Sequence, residues 1–208
     1  DDDAVITIDD VTTIESDGVS GTDFVFTVTL SAQIDVSIEV SYCSHDGSAS
    51  VADGDYVPVT GVVIFDGSHA GQTRTIIIHV NHDDTVELDQ TFTVVLTNCV
   101  CHDHAITIGK SVGVATIVNY DTASVTIVAS TAAEGTDQVF VVTLSTPCDT
   151  AITIDFHTDV AIAGPSQSAA IPDVDFVSQI GTLTFAPGVV SLNIVIVVIG
   201  DDVVESDE

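Results

Sequence analysis

Phe26-Thr27-Val28-Thr29-Leu30-Ser31 returns 114 residues later as Phe140-Val141-Val142-Thr143-Leu144-Ser145, and self-similarity at such a distance means two copies of one structural unit. The same offset carries Ile38, Val40 and Tyr42 onto Ile152, Ile154 and Phe156. Past a longer loop the offset becomes 120, setting Asp55-Tyr56 on Asp175-Phe176 and Gly61 on Gly181. At 118, Asp83-Asp84-Thr85-Val86-Glu87-Leu88-Asp89 meets Asp201-Asp202-Val203-Val204-Glu205-Ser206-Asp207. The slippage falls in loops, where insertions are tolerated.

Within each copy the hydrophobic period is two. Phe24, Phe26, Val28 and Leu30 share one face, as do Val36, Ile38, Val40 and Tyr42, and Phe92, Val94 and Leu96. The alternation predicts strands near 4–15, 23–31, 36–43, 57–65, 73–80, 90–98 and 106–118, with no convincing helical period. Short strands between Gly, Asp, Ser and Pro turns imply an all-β protein of tandem, immunoglobulin-like antiparallel sandwiches. The first is expected over 1–120 and the second over 121–208. The second stops before counterparts of the strands at 91–96 and 106–117, so it is expected to lack its last two strands. Either the chain is a fragment of a longer tandem array, or a neighbouring chain completes the sandwich by strand donation. Residues 192–199 are apolar on both faces and call for a cover.

The 208 residues carry 32 acidic side chains against 2 basic ones, a formal charge of −30. Arg74 and Lys110 alone cannot build a footprint on phosphate, which excludes nucleic acids and anionic membrane surfaces as partners. A content of 45% hydrophobic residues, rich in Val and Ile, separates the chain from disordered acidic tails. The longest apolar run, 194–199, is far too short to span a bilayer. With Asp1-Asp2-Asp3 in place of a basic and apolar leader, the chain reads as a mature, soluble segment. All but six of the acids are Asp, a residue of turns, caps and hard-cation sites.

Taken in order, Glu15, a Phe-x-Val-x-Leu strand, Asp46-Gly47-Ser48-Ala49, Asp53-Gly54-Asp55-Tyr56, the strand ending at Phe65, Asp83-Asp84-x-x-Glu87-x-Asp89, Thr91-Phe92-x-Val94-x-Leu96-x-Asn98 and a closing Asp121 resemble the Calx-beta domain. The resemblance covers the chain as one complete and one truncated copy. It departs at Asp159-Val160-Ala161, where Asp-Gly-Thr-Ala is usual, and at Gln90, where the family often has Glu. It implies a seven-stranded sandwich with Ca²⁺ at one end, between loops. For the first copy the implied ligands are Glu15, Asp55, Asp83, Asp84, Glu87 and Asp121, with Asp53 added. For the second they are Glu134, Asp175, Asp201, Asp202 and Glu205, with Asp173 similarly placed, while 1–3 would complete the site of a preceding module. Carboxylates converging from several loops match the six to eight oxygens that Ca²⁺ takes, and without a cation they would repel one another.

Four cysteines suit an oxidising, extracellular or cell-surface setting. Cys43 ends a strand running toward the calcium end of the first copy, and Cys148 lies in a turn at the opposite end of the second. A head-to-tail array would therefore join Cys43 to Cys148, leaving Cys99 and Cys101 to pair with each other or with another module. Cys99, Cys101, His102 and His104 are also a conceivable zinc or copper set, though the disulfide reading is preferred.

The function expected from all this is that of a calcium-binding structural or adhesive module in an extracellular, filament-forming surface protein. Its partners would be adjacent copies of the same module, and calcium and disulfides would stiffen the junctions. The alternatives are a protein- or carbohydrate-recognition module and an acid-coated, salt-adapted surface protein with no specific calcium site. Three Tyr and no Trp make a poor sugar-stacking platform. The chain is expected not to be an enzyme, for it has no nucleophile elbow, His-Glu-x-x-His helix or phosphate loop.

Overall fold

Alternating side chains on runs of β-branched residues favour a pleated backbone, and every regular element among the described residues is a β-strand. The computed structural model of the chain describes residues 4–16, 20–66, 68–100, 106–131, 133, 135–159, 170 and 174–200. Contacts divide the chain into two units, Asp1–Asp83 with Glu87–Asp121, and Asp84–Val86 with Thr122–Glu208.

In the first unit the strands are β1 (Ala4–Ile8), β2 (Val11–Ile14), β3 (Thr22–Leu30), β4 (Ile38–Asp46), β5 (Thr60–Phe65), β6 (Gln72–Val80), β7 (Gln90–Val100), β8 (Ile106–Lys110) and β9 (Val112–Val118). They form two sheets, ordered β6-β3-β1-β8 and β2-β9-β7-β4-β5. Between the sheets lie Phe24 and Phe26 of β3, Ile76 and Ile78 of β6, Phe65 of β5 and Phe92 of β7, each 0–1% exposed. Phe92 is the hub. Its ring stacks on Tyr56 at 4.3 Å and 10°, and meets Phe24 at 5.9 Å and Phe26 at 6.4 Å. Each such ring contributes about 2–3 kcal/mol by leaving water.

Two of the expected strands are in fact four. The run at 4–15 breaks at Asp9-Asp10 into β1 and β2, and the run at 106–118 breaks at Ser111 into β8 and β9. Each half lies in a different sheet: β1 runs parallel to β8, and β2 runs parallel to β9. The cause is a change of face. Ala4, Ile6 and Ile8 point inward at even positions, whereas the more buried residues of β2 are Val11 and Thr13. In the partner, Ile106 and Ile108 give way to Gly113, Ala115 and Ile117.

Amides released from the ladder at these breaks go to side chains. Asp9 Oδ1 accepts the Thr27 amide at 2.7 Å, and Asp10 Oδ1 accepts the Val114 amide at 2.8 Å and Lys110 Nζ at 2.7 Å. The Lys110 ammonium, with the Val114 amide, holds the Asp10 carboxyl below its ordinary value of 3.8. At Gly113 a Cβ would sit 2.5 Å from the Asp9 carbonyl oxygen, so the crossing tolerates no side chain there. Asp10→Ala is expected to cost about 1 kcal/mol, since the site is exposed and water replaces part of what is lost. Urea unfolding measures this, and an unchanged midpoint would show that the break needs no capping.

In the second unit β10 (Val125–Ala129), β11 (Gln138–Leu144) and β14 (Ser191–Ile196) form one sheet in the order β10-β11-β14, and β12 (Ile152–His157) pairs with β13 (Ile180–Phe185). The sequence repeat recurs in the backbone. Tyr56 bridges Val80 as Phe176 bridges Val198. The Asn81 amide donates to the Asp55 carbonyl at 2.9 Å, as the Ile199 amide does to that of Asp175 at 2.8 Å. The core comprises Val142, Leu144, Cys148, Phe185, Ile194 and Ile196. It is thinner than the first. Ile127 of β10 is 59% exposed while Ile6 of β1 is 0% exposed. Ile6 shares a core with Phe92, Val94 and Ala115 of β7 and β9, and no strand among the described residues plays their part in the second unit.

Cys43 and Cys148 are free thiols, so the expected Cys43–Cys148 disulfide is not formed. Cys148 is 4% exposed because its side chain packs in the core of the second unit instead of facing outward from a turn. Cys43 Sγ lies 3.2 Å from His45 Nε2, and Cys99 packs against the first core. Cys101, His102 and His104 lie outside the described residues, as does any zinc or copper set that includes them.

Candidate metal centre

Strand ends place the acids. Glu15 follows β2, Asp83 lies three residues beyond β6, and Asp121 lies three beyond β9. One oxygen from each lies within 4.8 Å of the others. Glu15 is 7% exposed. Its backbone amide donates to the Val118 carbonyl at 2.9 Å, and its Oε1 accepts the Asp83 amide at 3.3 Å. A small cavity of about 10 Å³ opens beside it, lined by Glu15, Asp55, Asp83 and Glu87 with Asn81 and Gln90, over Val80 and Ile117. That is the room of one water-sized sphere.

Neighbouring groups orient these carboxylates. Asp55 Oδ2 accepts the Ser50 amide at 2.6 Å, and Glu87 Oε2 accepts Gln90 Nε2 at 2.7 Å. Asn119 brackets Asp121, donating from Nδ2 to its carbonyl at 3.1 Å and accepting its amide on Oδ1 at 3.3 Å. Asn81 donates to the Gly54 carbonyl and so ties the Asp55 loop to the end of β6. Sequence reasoning passed over Asn81 and Asn119. Their only signal was an Asn two residues before an Asp in an acid-rich loop. Asp46 was missed as well: its Oδ1 accepts the Tyr56 hydroxyl at 2.7 Å. Burial first, then that carboxylate, pushes the phenol up to about 12.

Other candidate acids lie elsewhere. Asp53 Oδ2 accepts the Ser50 hydroxyl at 2.7 Å, and its side chain does not line the cavity. Asp84 belongs to the second unit, where its carbonyl accepts the Thr146 hydroxyl. In the second copy Asp175 is described and half-buried, while Glu134, Asp173, Asp201, Asp202 and Glu205 lie outside the described residues, as do 1–3.

The electrostatics follow from the same geometry. Burial raises the Glu15 carboxyl above its ordinary 4.5; the Asp83 amide offsets part of this, and the charges of Asp83 and Asp121 add to it. Asp55 is also raised, by burial first and then by Asp53, Asp83 and Asp46. Two unit charges at this spacing repel by about 3 kcal/mol at an effective dielectric of ~20, and by less at the exposed Asp83. Neither basic residue of the chain lines the cavity. Lys110 is on Asp10, and Arg74 donates to the Ile64 and Thr73 carbonyls with its guanidinium over Phe65.

The donor set fits a hard divalent cation. All converging atoms are oxygens, and ligands around one Ca²⁺ at about 2.3–2.6 Å lie at most ~5 Å apart, which the 4.8 Å grouping satisfies. A Calx-beta domain model matches residues 1–123 and again 124–208. The chain belongs to the Calx-beta family. Similar solved structures include the apo form of the Calx CBD1 domain, at 23% identity and a TM-score of 0.48, covering 57% of this chain and 98% of that one. CBD12 from CALX1.2 aligns at 18% identity and 0.48, over 94% and 76%. The calcium binding domain CBD12 of CALX1.1 aligns at 20% and 0.46, over 91% and 74%. No curated protein matches the chain. No helix among the described residues of this Calx-beta chain is long and apolar enough to cross a membrane.

A pH dependence follows. In the cation-free protein, Glu15 and Asp55 are raised in the folded state, so they favour folding most when protonated and oppose it as pH rises past their ordinary values of 4.5 and 3.8. Mild acidification without calcium is thus expected to stabilise this end of the sandwich. Asp66, lowered to about 2 by the Ser68 amide, the Gln72 amide and the Ser68 hydroxyl, works the other way. Its contribution is lost only as pH falls from 3.8 toward 2. Melts from pH 7 to 4.5 in EGTA test this, and a melting temperature that falls steadily across that range would refute it.

Proposed function

We propose that this chain is a calcium-binding structural module of an extracellular or cell-surface protein, one whose role is mechanical rather than catalytic. The observation that carries the reading is the convergence of Glu15, Asp83 and Asp121 within 4.8 Å, in a chain whose two basic residues are engaged elsewhere. Asp121 is the last residue of the first unit. A cation bound there fixes the chain to the ends of β2 and β6 immediately before the second unit starts, which shortens the free linker and stiffens a tandem array of such modules.

The salt-adapted alternative predicts acids spread over outward strand faces. Among the described residues, only Asp23, Glu39, Asp46 and Asp155 are strand acids, and the concentration in loops favours ligands. Calorimetric titration of Ca²⁺ into the EGTA-stripped chain tests the reading. Binding that Asp121→Ala weakens at least about tenfold is expected, and no heat at millimolar Ca²⁺ would sink it.

A further inference from the structure

Glu87 and Gln90 stand three residues apart at the mouth of the cavity, and they are bonded to each other. Gln90 is the first residue of β7 and is paired with Ile117 of β9, so the ladder fixes its backbone. Its Nε2 donates to Glu87 Oε2 at 2.7 Å, and both side chains line the cavity with Glu15, Asp55 and Asp83. A neutral amide satisfies one oxygen of a carboxylate without cancelling its charge.

Building on the calcium reading above, we propose that Gln90 sets the cation selectivity of the first module by committing one oxygen of Glu87 to its amide, so that Glu87 meets the ion through a single oxygen. The physical reason lies in how the two common divalent cations differ. Ca²⁺ accepts six to eight oxygens in a flexible arrangement and takes carboxylates through one oxygen or both, whereas Mg²⁺ demands a near-ideal octahedron with shorter bonds. A carboxylate that binds through both oxygens therefore favours the larger ion. For Glu87 to turn its second oxygen inward, the bond to Gln90 must break. That bond is charge-assisted and half-buried, which makes it stronger than an ordinary surface contact. The amide thus acts as a governor on Glu87: it keeps the ligand count low and narrows the advantage of Ca²⁺ over Mg²⁺. Gln90 is a positioning residue in this scheme, acting through Glu87.

The test is a pair of titrations of the EGTA-stripped full chain, one with CaCl₂ and one with MgCl₂, followed at the backbone amide resonances of Glu15 and Asp83 so that the first module alone is read. Gln90→Met keeps the length and removes the donor. It is expected to raise Ca²⁺ affinity about tenfold and to leave Mg²⁺ affinity within about twofold. Gln90→Glu also removes the donor, and it should widen the same ratio while lowering the cation-free melting temperature through added repulsion. A loss of Ca²⁺ affinity in Gln90→Met, or a parallel gain for both ions, would mean that the amide merely orients Glu87, and the proposal falls. Wild-type resonances that ignore millimolar Ca²⁺ would instead remove the calcium reading on which it stands.

Discussion

Saturating calcium is expected to raise the melting temperature of the first module by on the order of 10 °C, and Glu15→Gln to abolish most of that rise. At a free concentration 100 times the dissociation constant, a ligand that binds only the folded state adds about 2.7 kcal/mol, and 1 kcal/mol shifts a domain of about 100 residues by roughly 4–8 °C. Glu15 is the most telling position because it is the buried member of the cluster. Glutamine keeps its shape and can still accept the Asp83 amide that now donates to Oε1. The variant thus removes a charge and little else. With a carboxyl already raised by burial and by Asp83 and Asp121, the neutral variant should melt slightly higher than wild type in EGTA and gain little on adding calcium. Scanning calorimetry in EGTA and then in millimolar CaCl₂ reads both effects. A wild-type melt that calcium leaves in place would overturn the calcium site, and an equal shift in both proteins would move the ion away from Glu15.

Phe92→Ala is expected to be the most damaging single substitution in the first unit, at about 3–5 kcal/mol and a fall in melting temperature of roughly 15–25 °C. No other ring in the core touches three aromatic neighbours, among the described residues. Truncation removes the transfer free energy of the ring and leaves a cavity that β-sheet backbones on both sides cannot collapse to fill. The damage should reach the candidate metal centre as well. Tyr56 stacks on Phe92 and follows Asp55 directly, and its hydroxyl holds Asp46. Losing the stack frees the loop that presents Asp55, so calcium affinity should fall along with stability. Urea unfolding with and without calcium separates the two, and a cost below about 1 kcal/mol would show that the core repacks around the gap.

How far these features could be read from the chain differs by residue. The inward set Phe24, Phe26, Val28 and Leu30 was legible, because a strand buried on one face writes a period of two into its sequence. The crossing of the two paired strands was written there as well, in the change of buried face between Ile8 and Val11 and between Ile108 and Gly113. It was overlooked because the hydrophobic run itself continues across the break. Cys148 misled for a related reason. A cysteine between Pro147 and Asp149 looks like a turn residue, and only packing against Phe185 and Ile194 makes it part of a core.

The acids show where sequence ends and tertiary structure begins. Composition and repeat marked the loops as acid-rich, and resemblance nominated Glu15, Asp53, Asp55, Asp83, Asp84, Glu87 and Asp121 alike. Glu15 and Asp83 are 68 residues apart in the chain. They meet because β2 and β6, in opposite sheets, finish at the same end of one sandwich. Asp53 and Asp84 carry the same functional group but are turned to Ser50 and assigned to the second unit. The sequence by itself determined the all-β class, the two copies and the loops that hold the charge, for these follow from periodicity and residue type, which are local. Which carboxylates come together was decided only by where the strands stop and by which amides and hydroxyls claim each oxygen. Those are distances of a few ångströms between residues far apart in the chain, and only the packed sandwich determines them.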